Sequence, residues 1–248
     1  MKKITNTNIL EVRVDLVTLS QAREVAQEFV TTKTAHYITT PNVEIIMLCQ
    51  KNKKLRDVIN RSSLNLIDST GVAWAVQKYT GHKPERITGV DFAYELLHIA
   101  NAYSKKVLIV SRSDGLDAQS SYKAVQQLQS LYPKTKLLAY SYDLAKVESK
   151  NFNSIDSFQV DIILLGLGTP LEDFWASQNV DRLKHPAVVL CCGGTVDFMA
   201  GVQKRAPERV RKLGLEWLWR LLRQPSRLKR QMVIPDFIRL VKKQAKKT

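Results

Sequence analysis

The chain predicts an α/β fold: a mainly parallel sheet with helices on its faces, followed by a basic helical appendage. Three observations predict it. Over residues 1–200, short apolar or β-branched runs alternate with longer helix-like stretches, the pattern of βαβ units. The runs at 107–111, apolar up to Ser111, and 187–192, apolar throughout, read as strands buried in a parallel sheet. After Gly201 the strand signals stop, and 15 of the last 48 residues are Lys or Arg against three acids. The expected division is therefore a core over 1–200 and a basic amphipathic appendage over 201–248.

Residues 9–14 alternate like a half-buried strand, and Ser20 offers an N-cap for a helix to about residue 31. A β-branched run at 37–40 ends at Pro41-Asn42, where Asn42 is placed to cap a helix over 43–50. Residues 64–67 read as a strand, and Asp68-Ser69-Thr70-Gly71 as the turn into an apolar helix over 72–79. A further helix covers 90–103. In the second half, 107–111 is a strand and Asp114-Gly115 opens a long helix to about residue 131. Strands at 137–140 and 161–165 follow, the latter ending in Gly166-Leu167-Gly168-Thr169-Pro170. A helix then runs to about residue 182, with Pro170 tolerated in its first turn. Residues 187–192 form a buried strand ending in Gly193-Gly194-Thr195.

The appendage reads as amphipathic. One helix over 207–224 gathers Val210, Leu213, Trp217, Leu218 and Leu221 on a face that Leu215, Trp219 and Leu222 widen, with Arg211, Lys212, Arg220 and Arg223 elsewhere. Pro225 breaks it and Ser226 restarts a helix that Pro235 breaks again. Residues 235–247 then set Phe237, Leu240 and Val241 against Arg239, Lys242, Lys243, Lys246 and Lys247. Such helices lie in a membrane interface rather than across it, and each basic side chain near an anionic leaflet contributes about 1 kcal/mol. The alternative is that these helices pack on the core and turn their charges to solvent.

Composition excludes several classes. At 44% hydrophobic there is ample material for a core, and only 242–248 reads as a frayed tail. The opening MKKITNTNILEV lacks the apolar centre of a signal peptide, and no run approaches 18 apolar residues; a cytoplasmic protein is expected. Cys49, Cys191 and Cys192 show no metal or disulfide spacing, and the last two read as small core residues. The four histidines are scattered, which argues against a histidine relay. Basic and aromatic residues interleaved on a sheet or groove would mark a nucleic-acid module; here they lie on terminal helices, so nucleic acid is not an expected partner.

Open α/β sheets bind ligands beyond the carboxyl ends of their strands. There the chain carries Thr40, Asn42, Asp68, Gly71, Gly168, Gly193, Gly194 and Asp197. No G-x-G-x-x-G or P-loop occurs. Asp68 is read two ways, as N-cap of the following helix or as a catalytic carboxylate.

The runs Gly193-Gly194-Thr195-Val196-Asp197-Phe198-Met199-Ala200-Gly201, Arg205-Ala206-Pro207 and Leu213-Gly214-Leu215-Glu216-Trp217-Leu218-Trp219-Arg220 resemble the signature of the WecG/TagA/CpsF glycosyltransferases. Thr40-Pro41-Asn42, Asp68 with Gly71, and Glu85-Arg86-Ile87-Thr88-Gly89 match as well, in order along nearly the whole chain. The resemblance implies a Rossmann-like core with a C-terminal helical appendage closing over the site. It implies an inverting, metal-independent transferase, without cofactor, at the inner face of the cytoplasmic membrane. In the teichoic-acid branch, N-acetylmannosamine passes from UDP-N-acetylmannosamine to undecaprenyl-diphosphate-linked N-acetylglucosamine, giving the β-1,4 linkage-unit disaccharide lipid.

By the same resemblance Asp68 is the base, Arg86 stabilises the leaving UDP, and Thr40 and Asn42 position substrate. Asp197 contacts nucleotide or sugar. Arg220, Arg227 and Arg230 grip the acceptor diphosphate, a task suited to guanidinium forks, with Arg205 a further candidate at the junction. No Asp-x-Asp pair is present to hold a metal-bound diphosphate. Two positions depart from the family pattern: Asp68-Ser69 stands for Asp-Gly, and Pro170-Leu171-Glu172-Asp173 for Pro-Lys-Gln-Glu. Glu172 makes a turn expected on the nucleotide side more acidic and bears on the choice of sugar. N-acetylmannosaminuronate or a hexose is the alternative donor. The expected partners are a UDP-sugar, the lipid diphosphate and an anionic membrane surface; homo-oligomerisation is left open.

Overall fold

The computed structural model describes residues 4–32, 34–225 and 228–245, apart from the side chains of Lys212, Arg220 and Lys229. An antiparallel hairpin, β1 (Asn6–Ile9) and β2 (Val12–Asp15), comes first. Then β3 (His36–Thr39), β4 (Leu64–Asn65), β5 (Lys106–Arg112), β6 (Lys136–Tyr142), β7 (Ile162–Gly166) and β8 (Val188–Cys191) form one sheet in the order β4-β3-β8-β7-β5-β6, parallel at every pairing. Interleaved helices are α1 (Leu19–Thr31), α2 (Val43–Lys51), α3 (Lys53–Arg61), α4 (Thr70–Thr80), α5 (Gly89–Ala102), α6 (Ser120–Leu128), α7 (Glu148–Ser157), α8 (Leu171–Asn179) and α9 (Thr195–Met199). The appendage adds α10 (Glu208–Lys212), α11 (Glu216–Arg223), α12 (Leu228–Gln231) and α13 (Ile234–Ala245).

The predicted α/β class is what forms, because both faces of the sheet are apolar. Val107, Ile109, Ile162, Leu164, Val188 and Leu190 point to one side, into a core with α1, α5, α6 and α9. Leu108, Val110, Ile163, Leu165, Val189 and Cys191 point to the other, against α7 and α8. Burying each such side chain contributes about 1.5–3 kcal/mol. Cys191 and Cys192 are core residues, as expected.

Several element expectations are corrected. The single strand over 9–14 is a hairpin turning at Leu10 (φ 49°) and Glu11 (φ 65°). A two-residue turn of that shape ordinarily carries Asn-Gly, so the usual signal is missing. Tertiary bonds hold it instead: Gln50 Nε2 donates to Leu10 O (2.6 Å), Asn60 Nδ2 to Glu11 O (2.9 Å), and Leu10 N to Gln244 Oε1 (3.3 Å). The hairpin also covers the two-residue edge strand β4, where Asn65 N donates to Asp15 Oδ2 at 2.7 Å.

Thr18, not Ser20, caps α1 and forms a capping box with Gln21. The strand expected over 64–67 pairs only at Leu64–Asn65. The long helix from Asp114 is cut to α6, because Asp114 is held by Arg112 (2.6 and 2.8 Å) and Asp117 accepts from Gln119 N (2.7 Å). Three helices, α3, α7 and the short α9, stand where the sequence expectations place none.

The expected helix over 207–224 breaks at Gly214 (φ +72°), the left-handed residue that ends α10. Thr70 Oγ1 donates to Gly214 O at 3.5 Å, so the break seats the appendage on the start of α4. The apolar face of α13, expected at a membrane interface, is instead docked on the core. Phe237 and Val241 are 1% and 0% exposed among Ile46, Val72 and Val76, and Tyr79 Oη donates to Gln244 Oε1 at 3.0 Å. The most exposed apolar residues of the appendage lie earlier, at Leu213 (74%), Leu222 (73%), Met232 (68%) and Leu228 (57%). Among the described residues no helix is long and apolar enough to cross a membrane.

Candidate active site

Asn42 caps α2 as predicted, its Oδ1 accepting from Ile45 N at 3.0 Å. Asp68 does not cap α4; Ser69 does, accepting from Val72 N at 3.3 Å. The carboxylate is thereby turned across to the start of α5, where Asp68 Oδ1 accepts from Gly89 N at 2.8 Å. Arg86 Nη1 donates to Asp68 O at 3.3 Å, and Ile87 N to Ile67 O at 2.9 Å, so the segment before α5 lies as an extension beside β4. The structure brings Asp68 and Arg86 together.

Thr40 completes this group. Its hydroxyl donates to Cys191 O at 3.4 Å, and a methyl group built on Gly89 would lie 3.2 Å from Thr40 Oγ1 and 3.7 Å from Thr195 Oγ1. Gly71 is required by a close approach: a methyl there would lie 2.5 Å from Val43 Cγ2. The starts of α2, α4 and α5 therefore converge around Thr40 and Asp68. Helix starts carry positive partial charge and point amide donors outward, a setting for an anion.

A second group lies at the ends of β7 and β8. Glu172 Oε2 accepts from Leu167 N (3.1 Å), Gly168 N (2.8 Å) and Gly193 N (3.0 Å). One buried carboxylate oxygen thus pins both glycine turns, with Gly168 (φ +80°) and Gly193 (φ +49°) in the left-handed region and Gly194 leading into α9. Burial, then the adjoining Asp173 carboxylate, holds Glu172 well above the usual carboxylate range against those three amides. Burial raises Asp173 as well, and its Oδ2 has no hydrogen-bond partner. Glu172 is 3% exposed, so its contribution to the site runs through the two turns it holds.

The other expected residues are placed as follows. Asp197 ties α9 to its surroundings, accepting from Ser120 Oγ (2.8 Å) and Gln203 Nε2 (3.2 Å). Arg205 reaches back to the start of α5, donating to Asp91 Oδ1 (2.7 Å) and Thr88 Oγ1 (3.1 Å). Burial alone would raise the Asp91 carboxyl, but Arg205 and Thr88 outweigh it and hold it below its ordinary value. Arg230, largely exposed, lies 3.5 Å from Glu44 in the first turn of α2. Arg220 stands in α11, but its side chain, like the whole of Arg227, lies outside the described residues.

Thr88, Gly89, Asp91 and Thr195 were not singled out in the sequence as site residues. The signal available was Thr88 three residues before Asp91 at a helix start. Burial raises the Cys191 and Cys192 thiols far above their ordinary value, which disqualifies them as nucleophiles. An open groove of about 730 Å³ lies between α1 and the far half of α5, lined by Arg23, Gln27, Glu95, His98 and Tyr103. It is removed from Asp68 by more than a turn of α5. Among the described residues no group of three or more His, Cys, Asp or Glu could hold a metal ion.

Against known proteins, residues 7–248 match the model of the glycosyl transferase WecG/TagA/CpsF family. Three proteins named N-acetylglucosaminyldiphosphoundecaprenol N-acetyl-beta-D-mannosaminyltransferase, from Staphylococcus aureus strains MRSA252, MW2 and NCTC 8325 / PS 47, are each 28% identical over 243 residues. The similarity covers 97% of this chain and 93% of theirs. With a match over nearly its full length, the chain belongs to the WecG/TagA/CpsF family of glycosyltransferases.

Proposed function

We propose that this protein transfers N-acetylmannosamine from UDP-N-acetylmannosamine to undecaprenyl-diphosphate-linked N-acetylglucosamine, forming the β-1,4 disaccharide lipid of the wall teichoic acid linkage unit. The observation that carries the reading is the carboxylate of Asp68, held by Gly89 N at 2.8 Å, with Arg86 and Thr40 close by, in a chain whose relatives are named for N-acetyl-β-D-mannosaminyl transfer to N-acetylglucosaminyldiphosphoundecaprenol.

Asp68 acts as general base. With Oδ1 held by the amide, Oδ2 takes the proton of the acceptor hydroxyl as that oxygen bonds to the anomeric carbon. The bond from that carbon to the donor phosphate breaks on the opposite face, and UDP leaves with the electron pair, inverting the centre. Arg86 and the amides at the starts of α2, α4 and α5 meet the charge that grows on the leaving diphosphate, the duty a metal ion performs in other transferases. Thr40 and Asn42 position the sugars.

The acceptor is anionic and embedded in lipid. The exposed Leu213, Trp217, Leu222, Leu228 and Met232, together with the basic side chains of the appendage, suit peripheral attachment at the inner face of the membrane. Arg220, Arg227 and Arg230 take the acceptor diphosphate. The test is turnover with a panel of UDP-sugars and a short-chain lipid-diphosphate acceptor, with and without chelator. Selective, chelator-resistant use of UDP-N-acetylmannosamine is expected. Preference for a uronate or a hexose overturns the donor assignment, and loss of activity on chelation overturns the metal-free mechanism.

A further inference from the structure

We propose that Arg205 is a positioning residue that couples the docking of α11 to the aim of the Asp68 carboxylate. The inference rests on the reading of Asp68 as base. On one side of the guanidinium, Nη1 donates to Asp91 Oδ1 at 2.7 Å and Nη2 to Thr88 Oγ1 at 3.1 Å. The Thr88 hydroxyl donates onward to Asp91 Oδ2 at 2.6 Å and accepts from Asp91 N at 3.1 Å. Guanidinium, hydroxyl and carboxylate so close a ring around the first turn of α5. Gly89 stands within that turn, and its N–H holds Asp68 Oδ1 at 2.8 Å.

On the other side, Arg205 Nε is buried without a hydrogen bond, and Glu216 Oε1 of α11 stands 3.9 Å away. That separation is roughly 1 Å too long for a hydrogen bond. A movement of α11 toward α5 by that amount supplies the missing acceptor to the same side chain that frames Gly89. Seating of the appendage is then felt at the base through Glu216, Arg205, the Thr88–Asp91 turn and Gly89. Only a planar fork serves all three partners at once; a lysine in its place offers a single point charge. One bond from each terminal nitrogen fixes the guanidinium on Thr88 and Asp91, and it is through these two that Arg205 acts on Gly89.

The test uses the full chain and the variants Arg205→Lys, Glu216→Gln and their double. The readouts are kcat, the KM of donor and acceptor, and hydrogen exchange at the Gly89 amide. Arg205→Lys is expected to lower kcat about ten- to a hundredfold, the scale of a misplaced catalytic group, with both KM values within about twofold. Gly89 exchange rises. Glu216→Gln gives a smaller loss of kcat that vanishes in the Arg205→Lys background, since both act through one guanidinium. A raised acceptor KM with unchanged kcat overturns the proposal and makes Arg205 a phosphate ligand; additive losses overturn the coupling. If the wild type shows no turnover, the functional reading fails by itself. Gly89 exchange then decides alone: an unchanged rate in either variant overturns the coupling, and if Arg205→Lys does not fold, Glu216→Gln carries the same comparison.

Discussion

Replacing Phe237 with alanine separates two roles for α13. The ring is 1% exposed and packs in a cluster with Val241, Ile46, Met47, Val72 and Val76, with Cε1 4.0 Å from where a methyl on Gly71 would stand. The site is walled by α2, α4 and the hairpin, so little collapse into the cavity is available. Phe→Ala changes in such positions cost about 3–5 kcal/mol. For a chain of this size that lowers Tm by roughly 6–20 °C, at about 2–4 °C per kcal/mol. Thermal unfolding followed by circular dichroism, beside sedimentation with anionic vesicles, gives the answer. Phe237→Ala is expected to lower Tm strongly and to leave vesicle binding of the folded protein intact. Unchanged Tm with lost vesicle binding refutes the docking of α13 on the core and returns its apolar face to the membrane.

The converse is expected of Trp217→Ser with Leu222→Ser. These side chains are 42% and 73% exposed, so stability shifts by less than about 1 kcal/mol, while co-sedimentation with anionic vesicles falls; unchanged co-sedimentation contradicts the interfacial assignment. For Glu172 the sign follows from its raised value. Burial lifts Glu172 to about 8 and Asp173 to about 6, so between the ordinary Glu value of about 4.5 and about 8 the folded chain holds more protons than the unfolded chain. Their contribution is fully present at acid pH and is lost as pH climbs through that window. The urea midpoint of Glu172→Gln relative to wild type is therefore expected to improve from pH 5 to pH 8, roughly the span of that linkage, and a difference independent of pH contradicts the burial of the charge.

The fold was legible where local chemistry and burial agree. Continuous apolar runs at β5 and β8 announced strands covered on both faces, and Asn42 announced the start of α2. Asp68 was legible as a residue at a strand's end, but its freedom from capping was not, since Ser69 beside it could serve equally and only the path of Gly89 decides between them. The hairpin was hidden because its turn uses Leu10 and Glu11, held in place by residues as distant as Gln244. The periodicity of α3 is present in Leu55, Val58 and Ile59 behind the cap Asn52, whereas the polar run of α7 carries little signal. An amphipathic face reports that something apolar covers it, never what: the same pattern meets the core in α13 and remains exposed around α11.

The most direct test of the account is single-turnover transfer by Asp68→Asn, measured beside UDP binding and Tm. Asparagine keeps an oxygen for Gly89 N, so fold and nucleotide affinity are expected to persist, while the rate falls about 10²–10⁴-fold, as loss of a general base requires. Transfer at the wild-type rate, with UDP binding intact, would contradict the assignment of Asp68 as the base.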